Sequence, residues 1–146
     1  EIQNTVAKAK GISVIQNLAG NVEEAVNRLG EIALHLGKTA LSPDVKVAFA
    51  YAAPFLDVVG DVCIAWMHLW RASIAVPKLE KLVGSLDPRT RSQKASQSKD
   101  AAFYEGLLQS ARYYINSVLP VTLGKMNAIK ACDASTVEIP EASFGG

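Results

Sequence analysis

Histidine, cysteine and strand-forming patterns are all scarce in this chain, and each scarcity excludes something. There are only two histidines in 146 residues, and no Glu-x-x-His occurs, so the ferritin-like di-metal arrangement lacks its ligands. The two cysteines, Cys63 and Cys132, show no CxxC spacing and no disulfide framework. They are expected as unpaired thiols in a reducing cytoplasm. Cys63 sits in an apolar run, where a thiol acts as a small, inert hydrophobe. No serine occupies a G-x-S-x-G turn, and no glycine-rich phosphate loop follows a strand. Fifteen basic residues against fourteen acidic give a net charge of +1, which argues against a nucleic-acid binder. Glu1 to Lys10 lacks the basic-then-apolar pattern of a secretory leader. Asp57 and Asp61 interrupt the most apolar stretch, Val45 to Val76. No run of about 20 uncharged residues remains to span a bilayer. The expectation is a soluble, cytoplasmic protein with no membrane span.

What is abundant is helical pattern. Apolar residues make up 49% of the chain, enough for one domain, since roughly 150 residues bury about 70% of their extended surface. Ile2, Val6, Ala9, Val14 and Leu18 predict a helix over about 2–19, closed by Gly20. Asn21 with Glu24 resembles a capping box. Val22, Val26, Leu29, Ile32, Leu36 and Ala40 then predict a second helix over 21–41. Ser42-Pro43-Asp44 is a start signal for a long third helix over 43–83. Its inward face is expected at Ala48, Ala52, Phe55, Val59, Val62, Trp66 and Leu69. Pro54 should bend it, and Pro77 offers a second bend or an end point.

Residues 84–99, GSLDPRTRSQKASQSK, are polar without apolar rhythm and are expected as an exposed, mobile linker. The fourth helix, 100–131, carries a stripe of Leu108, Ala111, Ile115, Leu119, Thr122, Met126 and Ile129, with a kink at Pro120. Glu105 is expected to face water. The tail, 132–146, is expected to lie extended, anchored by Val137, Ile139 and Phe144. The predicted fold is all-α, an antiparallel up-down four-helix bundle. Gly11, Gly30, Gly60, Gly106 and Gly124 fall inside helices at a cost of about 1 kcal/mol each, which close helix approach would offset. On that reasoning Gly60→Leu should overpack a contact, and Trp66→Ala should open a cavity.

Candidate chemistry is thin. Glu31 and His35 share a face, as do Asp57 and Asp61 with His68 beyond, and these read as solvated faces or cross-helix hydrogen bonds before a metal site. Aromatic clusters remain at Trp66 and Trp70 and at Tyr113-Tyr114 beside Arg112. Aromatics at helical spacing read first as core and second as interface.

Two segments resemble a known family. AYAAPFLDVVGDVCIAWMHLW, residues 50–70, and AFYEGLLQSARYYINSVLP, residues 102–120, resemble the extra C-terminal helical domain of a subgroup of acyl-CoA dehydrogenases. That subgroup includes the 3-methylmercaptopropionyl-CoA dehydrogenase type. The matching points are Phe55-Leu56, Gly60 and Trp66, then Phe103-Tyr104, Ala111-Arg112-Tyr113-Tyr114 and Leu119-Pro120. The tail IPEASF, residues 139–144, is also similar.

The resemblance implies a parent enzyme that is FAD-dependent and oxidises the Cα–Cβ bond of an acyl-CoA thioester. Electrons then pass to electron-transfer flavoprotein. The catalytic carboxylate and flavin site of that family precede this domain, so no catalytic, cofactor or metal residue carries over to this chain. The implied role is a non-catalytic accessory or oligomerisation domain, packed on the dehydrogenase core or between subunits of a homo-oligomer. The alternative is a free-standing helical interaction module that dimerises through an aromatic face. Phe55, Gly60, Trp66, Trp70, Arg112, Tyr113 and Tyr114 are the structural or interface candidates.

Overall fold

The computed structural model describes residues 1–145; Gly146, the last position of the expected tail, lies outside the described residues. The described chain is all-helical and contains no strand. Helix α1 spans Ile2–Lys10 and buries Thr5, Val6 and Ala9. A 3-10 turn, Ser13–Ile15, leads into α2, Gln16–Ala40. The first break therefore falls at Gly11-Ile12 and not at Gly20. Leu18, Ala19, Val22 and Ala25 are all buried, so one inward stripe runs straight through Gly20 and packing overrides the local stop signal. The expected capping box is unused. Asn21 instead donates from Nδ2 to Asn116 Oδ1 at 3.3 Å.

The expected third helix is two. Helix α3 covers Val45–Ala50 and α4 covers Ala52–Val83. Pro54 explains the break: it has no N–H to give the carbonyl four residues back, at Ala50, so the ladder stops at Tyr51. Within the first turn of α4 that missing donor is harmless, and Pro54 starts a helix where a bend was expected. Pro77 is accommodated inside α4, beside buried Ser73, whose Oγ donates to the Trp70 carbonyl at 2.8 Å. Gly84, left-handed at φ 74°, closes α4 with its N–H on the Glu80 carbonyl at 2.8 Å. A side chain would be strained in that conformation.

The segment expected as a mobile linker contains helix α5, Pro88–Ala95. Asp87 caps it, accepting the Thr90 N–H at 3.0 Å, and Pro88 occupies the first turn. Ser98 caps α6, Lys99–Tyr113. A π-helical segment, Tyr114–Val118, then leads to α7, Leu119–Ala131. Pro120 cannot donate to the Asn116 carbonyl, and the Leu119 N–H reaches back five residues to Tyr114. The expected kink thus takes the form of a π-bulge.

Left-handed Cys132 ends α7, and a short turn of helix, α8 (Ser135–Glu138), packs near α3. The tail is neither extended nor anchored by its apolar residues, since Val137, Ile139 and Phe144 are exposed. A polar tie serves instead, with Tyr51 OH donating to the Asp133 carbonyl at 3.2 Å.

One core joins these elements. It includes Val6 and Ala9 of α1 and Val22, Ile32 and Leu36 of α2. Val58, Val62, Ala65, Leu69, Val76 and Leu79 of α4 complete it with Leu108, Ile115, Leu119, Met126 and Ile129. The stripe expected on residues 100–131 is buried at every position. On α4 the inward face is turned slightly, using Val58 and Ala65 where Val59 and Trp66 were expected. Gly30, Gly60, Gly106 and Gly124 have no heavy atom within 4 Å of an added Cβ, and Gly11 meets only the Lys8 carbonyl of its own helix. Close helix approach does not account for them.

Candidate functional site: the aromatic residues and the two faces of α4

Six of the seven candidate residues divide into an inward and an outward group. Trp66 is half-buried, and its indole Nε1 donates to Thr5 Oγ1 at 2.9 Å, tying α4 to α1. Tyr114 is half-buried at the π-bulge, stacks on His68 with ring centroids 5.1 Å apart, and donates to the Asp61 carbonyl at 3.4 Å. Burial, then the neighbouring Asp61 carboxylate, pushes the Tyr114 phenol above its ordinary pKa. Burial, then the Arg71 charge, pushes His68 below its ordinary value. Each ring therefore favours its neutral form. Phe55 packs half-buried against the core, at the edge of an apolar cleft of about 300 Å³ shared with Leu36, Ala48 and Phe49.

Asp61 belongs to the same inward set. Its Oδ2 accepts from Thr122 Oγ1 at 2.9 Å and Lys125 Nζ at 3.0 Å, joining α4 to α7. The acidic face considered for a metal is thus divided, with Asp61 engaged and Asp57 left in solvent. Among the described residues no three His, Cys, Asp or Glu side chains converge on a metal-sized site.

Gly60, Trp70 and Tyr113 face outward, with Trp70 at 45% and Tyr113 at 67% exposure. Cys63, expected as an inert small hydrophobe within an apolar run, is also exposed. On α4 the outward positions Leu56, Cys63, Met67, Trp70 and Ile74 fall within roughly 60° of one another around the helix, opposite the core. Helix α4 is also the one described helix long and apolar enough, by length and composition, to cross a bilayer. Its inner side instead packs on α1, α2, α6 and α7.

Arg112 joins neither group. It lines a polar groove of about 570 Å³ with Val14, Asn17, Leu18, Asn21 and Asn116. Three amides and one guanidinium offer donors and acceptors but no nucleophile or proton-transfer pair. Its two apolar side chains do not make the sandwich that a flavin ring system needs, so this groove does not fit FAD.

Sequence reasoning missed one pair altogether. Arg91 of α5 is 1% exposed, and its Nε lies 3.3 Å from Glu105 Oε2 on α6. Glu105, expected in water, is only 16% exposed and also accepts from Gln109 Nε2 at 2.6 Å. The pair is close in distance but poorly aligned, leaving Arg91 Nε and Nη1 without a hydrogen bond. The readable signal was Asp87-Pro88, which marks a helix start. Nothing in the local pattern announces that an arginine on that helix turns inward.

The described residues form an all-helical body with one apolar face of α4 uncovered. The chain belongs to the acyl-CoA dehydrogenase C-terminal family: residues 1–140 match the family described as "Acetyl-CoA dehydrogenase C-terminal like". Two butyryl-CoA dehydrogenases of Syntrophomonas wolfei are 40% and 43% identical over 45 residues, 31% of this chain and 7% of each relative. The broad-specificity linear acyl-CoA dehydrogenase FadE5 of Mycobacterium tuberculosis is 27% identical over 90 residues, 62% of this chain and 13% of the relative. The chain therefore matches a small part of much longer proteins.

Proposed function

We propose that this chain serves as the non-catalytic C-terminal accessory domain of an FAD-dependent acyl-CoA dehydrogenase. The observation that carries the reading is the family match over residues 1–140, joined to relatives many times longer than the matched segment. The parent activity would be α,β-dehydrogenation of an acyl-CoA thioester in cytoplasmic fatty acid metabolism, with electron-transfer flavoprotein as acceptor. The finer resemblance points to the 3-methylmercaptopropionyl-CoA dehydrogenase-like subgroup. In this reading the long helices run up and down as a bundle that packs on a dehydrogenase core of the same polypeptide. Phe55, Trp66 and Tyr114 act as internal ties, while Gly60, Trp70 and Tyr113 belong to contact surface. Arg112 contributes to the polar groove.

The reading is tested on the purified chain. It should be colourless, carry no flavin absorbance after addition of FAD and gel filtration, and leave butyryl-CoA unchanged with an artificial electron acceptor. Stoichiometric flavin or turnover would overturn it. The uncovered face of α4 favours a second reading, a free-standing helical interaction module. Association of the chain independent of any dehydrogenase would support that role.

A further inference from the structure

We infer that the outer face of α4 is an interface between two copies of this chain, joined antiparallel about a two-fold axis near Ala65. The proposal does not depend on the flavoenzyme reading. Its first basis is the stripe itself: Leu56, Cys63, Met67, Trp70 and Ile74 are all exposed, with Leu56 at 70%. These positions, with Gly60, are symmetric about residue 65. An antiparallel copy sets Leu56 against Ile74, Cys63 against Met67, and Gly60 against Trp70. Isologous contact of this kind is self-complementary and closes at two subunits.

Gly60 is the second basis. It lies mid-helix and outward, and nothing in the chain approaches within 4 Å of where its Cβ would stand. Glycine there weakens the helix with no return inside the monomer. In the antiparallel pair it leaves the space that the indole of Trp70 would fill.

Charge is the third. Asp57 and Arg71 lie on the same flank of the stripe, both are exposed, and neither belongs to an ion pair among the described residues. A two-fold axis perpendicular to the plane of the two helices keeps that flank on one side. Asp57 of each copy then falls within about one helical turn of Arg71 on the other. A parallel pair, with its two-fold axis along the helices, would carry the two flanks to opposite sides of the seam and leave Asp57 and Arg71 without partners. The stripe from Leu56 to Ile74 is roughly 27 Å long, so the contact buries on the order of 1,000 Å², near the lower bound for a specific interface. The dimer should therefore be weak and concentration-dependent.

Sedimentation equilibrium of the chain from about 10 μM to about 1 mM tests this, a range suited to an interface near the lower size limit. The weight-average mass should rise from the 15.6 kDa monomer toward twice that value. Gly60→Leu and Trp70→Glu should each weaken association at least about tenfold, the effect expected at the centre of an interface. Both should keep the helical circular-dichroism signal at dilute concentration, Trp70→Glu with the wild-type urea midpoint and Gly60→Leu with one at or above it. Asp57→Arg and Arg71→Asp should each weaken the dimer, and the double exchange should restore it. A short bismaleimide should link Cys63 of one copy to Cys63 of the other in the wild type and the double exchange, and not in Gly60→Leu or Trp70→Glu. A monomer throughout the range, or association indifferent to Gly60→Leu and Trp70→Glu, would overturn the proposal. So would sedimentation with phosphatidylcholine–phosphatidylglycerol vesicles while the free chain stays monomeric, which would assign the stripe to lipid.

Discussion

Helices α4 and α5 treat burial in opposite ways. Helix α4 is apolar on two opposite sides, divided on one flank by Asp57, Asp61, His68 and Arg71, yet only one side enters the core, and Leu56, Met67, Trp70 and Ile74 stay exposed. Helix α5 has almost nothing apolar, yet it is held in place by the one arginine that it turns inward. What decides burial is the neighbour available at each position and not the polarity of the segment. Helix α4 has more apolar surface than this chain can cover. Helix α5 has too little, and a cap at Asp87 and a buried charge stand in for it. The first surplus points outward to another molecule; the second shortage makes the helix dependent on a single pair.

That contrast is sharpest at Glu105. Glu105→Ala removes the carboxylate and leaves Arg91 buried without a countercharge, so urea melts should show a loss of about 3–5 kcal/mol. Replacing both, with Arg91→Met and Glu105→Leu, should recover most of that loss. If Glu105→Ala is silent, α5 is held by something other than this pair. Trp66 gives the next effect. Its half-buried indole and its hydrogen bond to Thr5 predict a loss of roughly 2–3 kcal/mol for Trp66→Ala, less than for a fully buried ring. Gly60 should reverse the sign. With open space around it, Gly60→Ala in the dilute monomer should gain up to about 1 kcal/mol through helix propensity. A loss there would mean that the outer side of α4 is not open.

The smallest effect is a pH dependence at His68. Its folded-state pKa is lowered, so the unfolded chain binds the proton more readily. The stability held by neutral His68 is present above its unfolded pKa of about 6.5 and is lost as pH falls from there through the folded value. The urea midpoint should decline slightly from pH 7 to pH 5, and His68→Gln should flatten that part of the profile. An unchanged slope in His68→Gln would show that other groups carry it.

The helices with polar outer faces were legible from spacing alone. On residues 100–131 every expected stripe position is buried, because Ser, Lys, Asn and Gln mark the other side. On α4 apolar residues occupy both the inner and the outer side, so periodicity located the helix but misplaced the inward face by about one residue at Val58 and Ala65. Prolines were read correctly as disturbances, but not the form each takes, since Pro54 starts a helix and Pro120 follows a π-bulge. Gly20 failed as a stop because a continuous apolar stripe outweighs one residue's preference. The candidate aromatics were identified as a set, but the sequence does not distinguish Trp66, which faces Thr5, from Trp70, which faces solvent. The Arg91–Glu105 pair was invisible because it joins residues on separate helices with no local pattern.

The most direct test of the two-faced account of α4 compares Leu69→Ala with Trp70→Ala, adjacent residues on opposite sides of one helix. Urea melts at dilute concentration and sedimentation equilibrium are run on both. Leu69→Ala should lose about 2–5 kcal/mol of monomer stability by leaving a cavity. Trp70→Ala should stay within about 0.5 kcal/mol while losing self-association. Equal destabilisation by the two substitutions, or undiminished association of Trp70→Ala, would contradict the account.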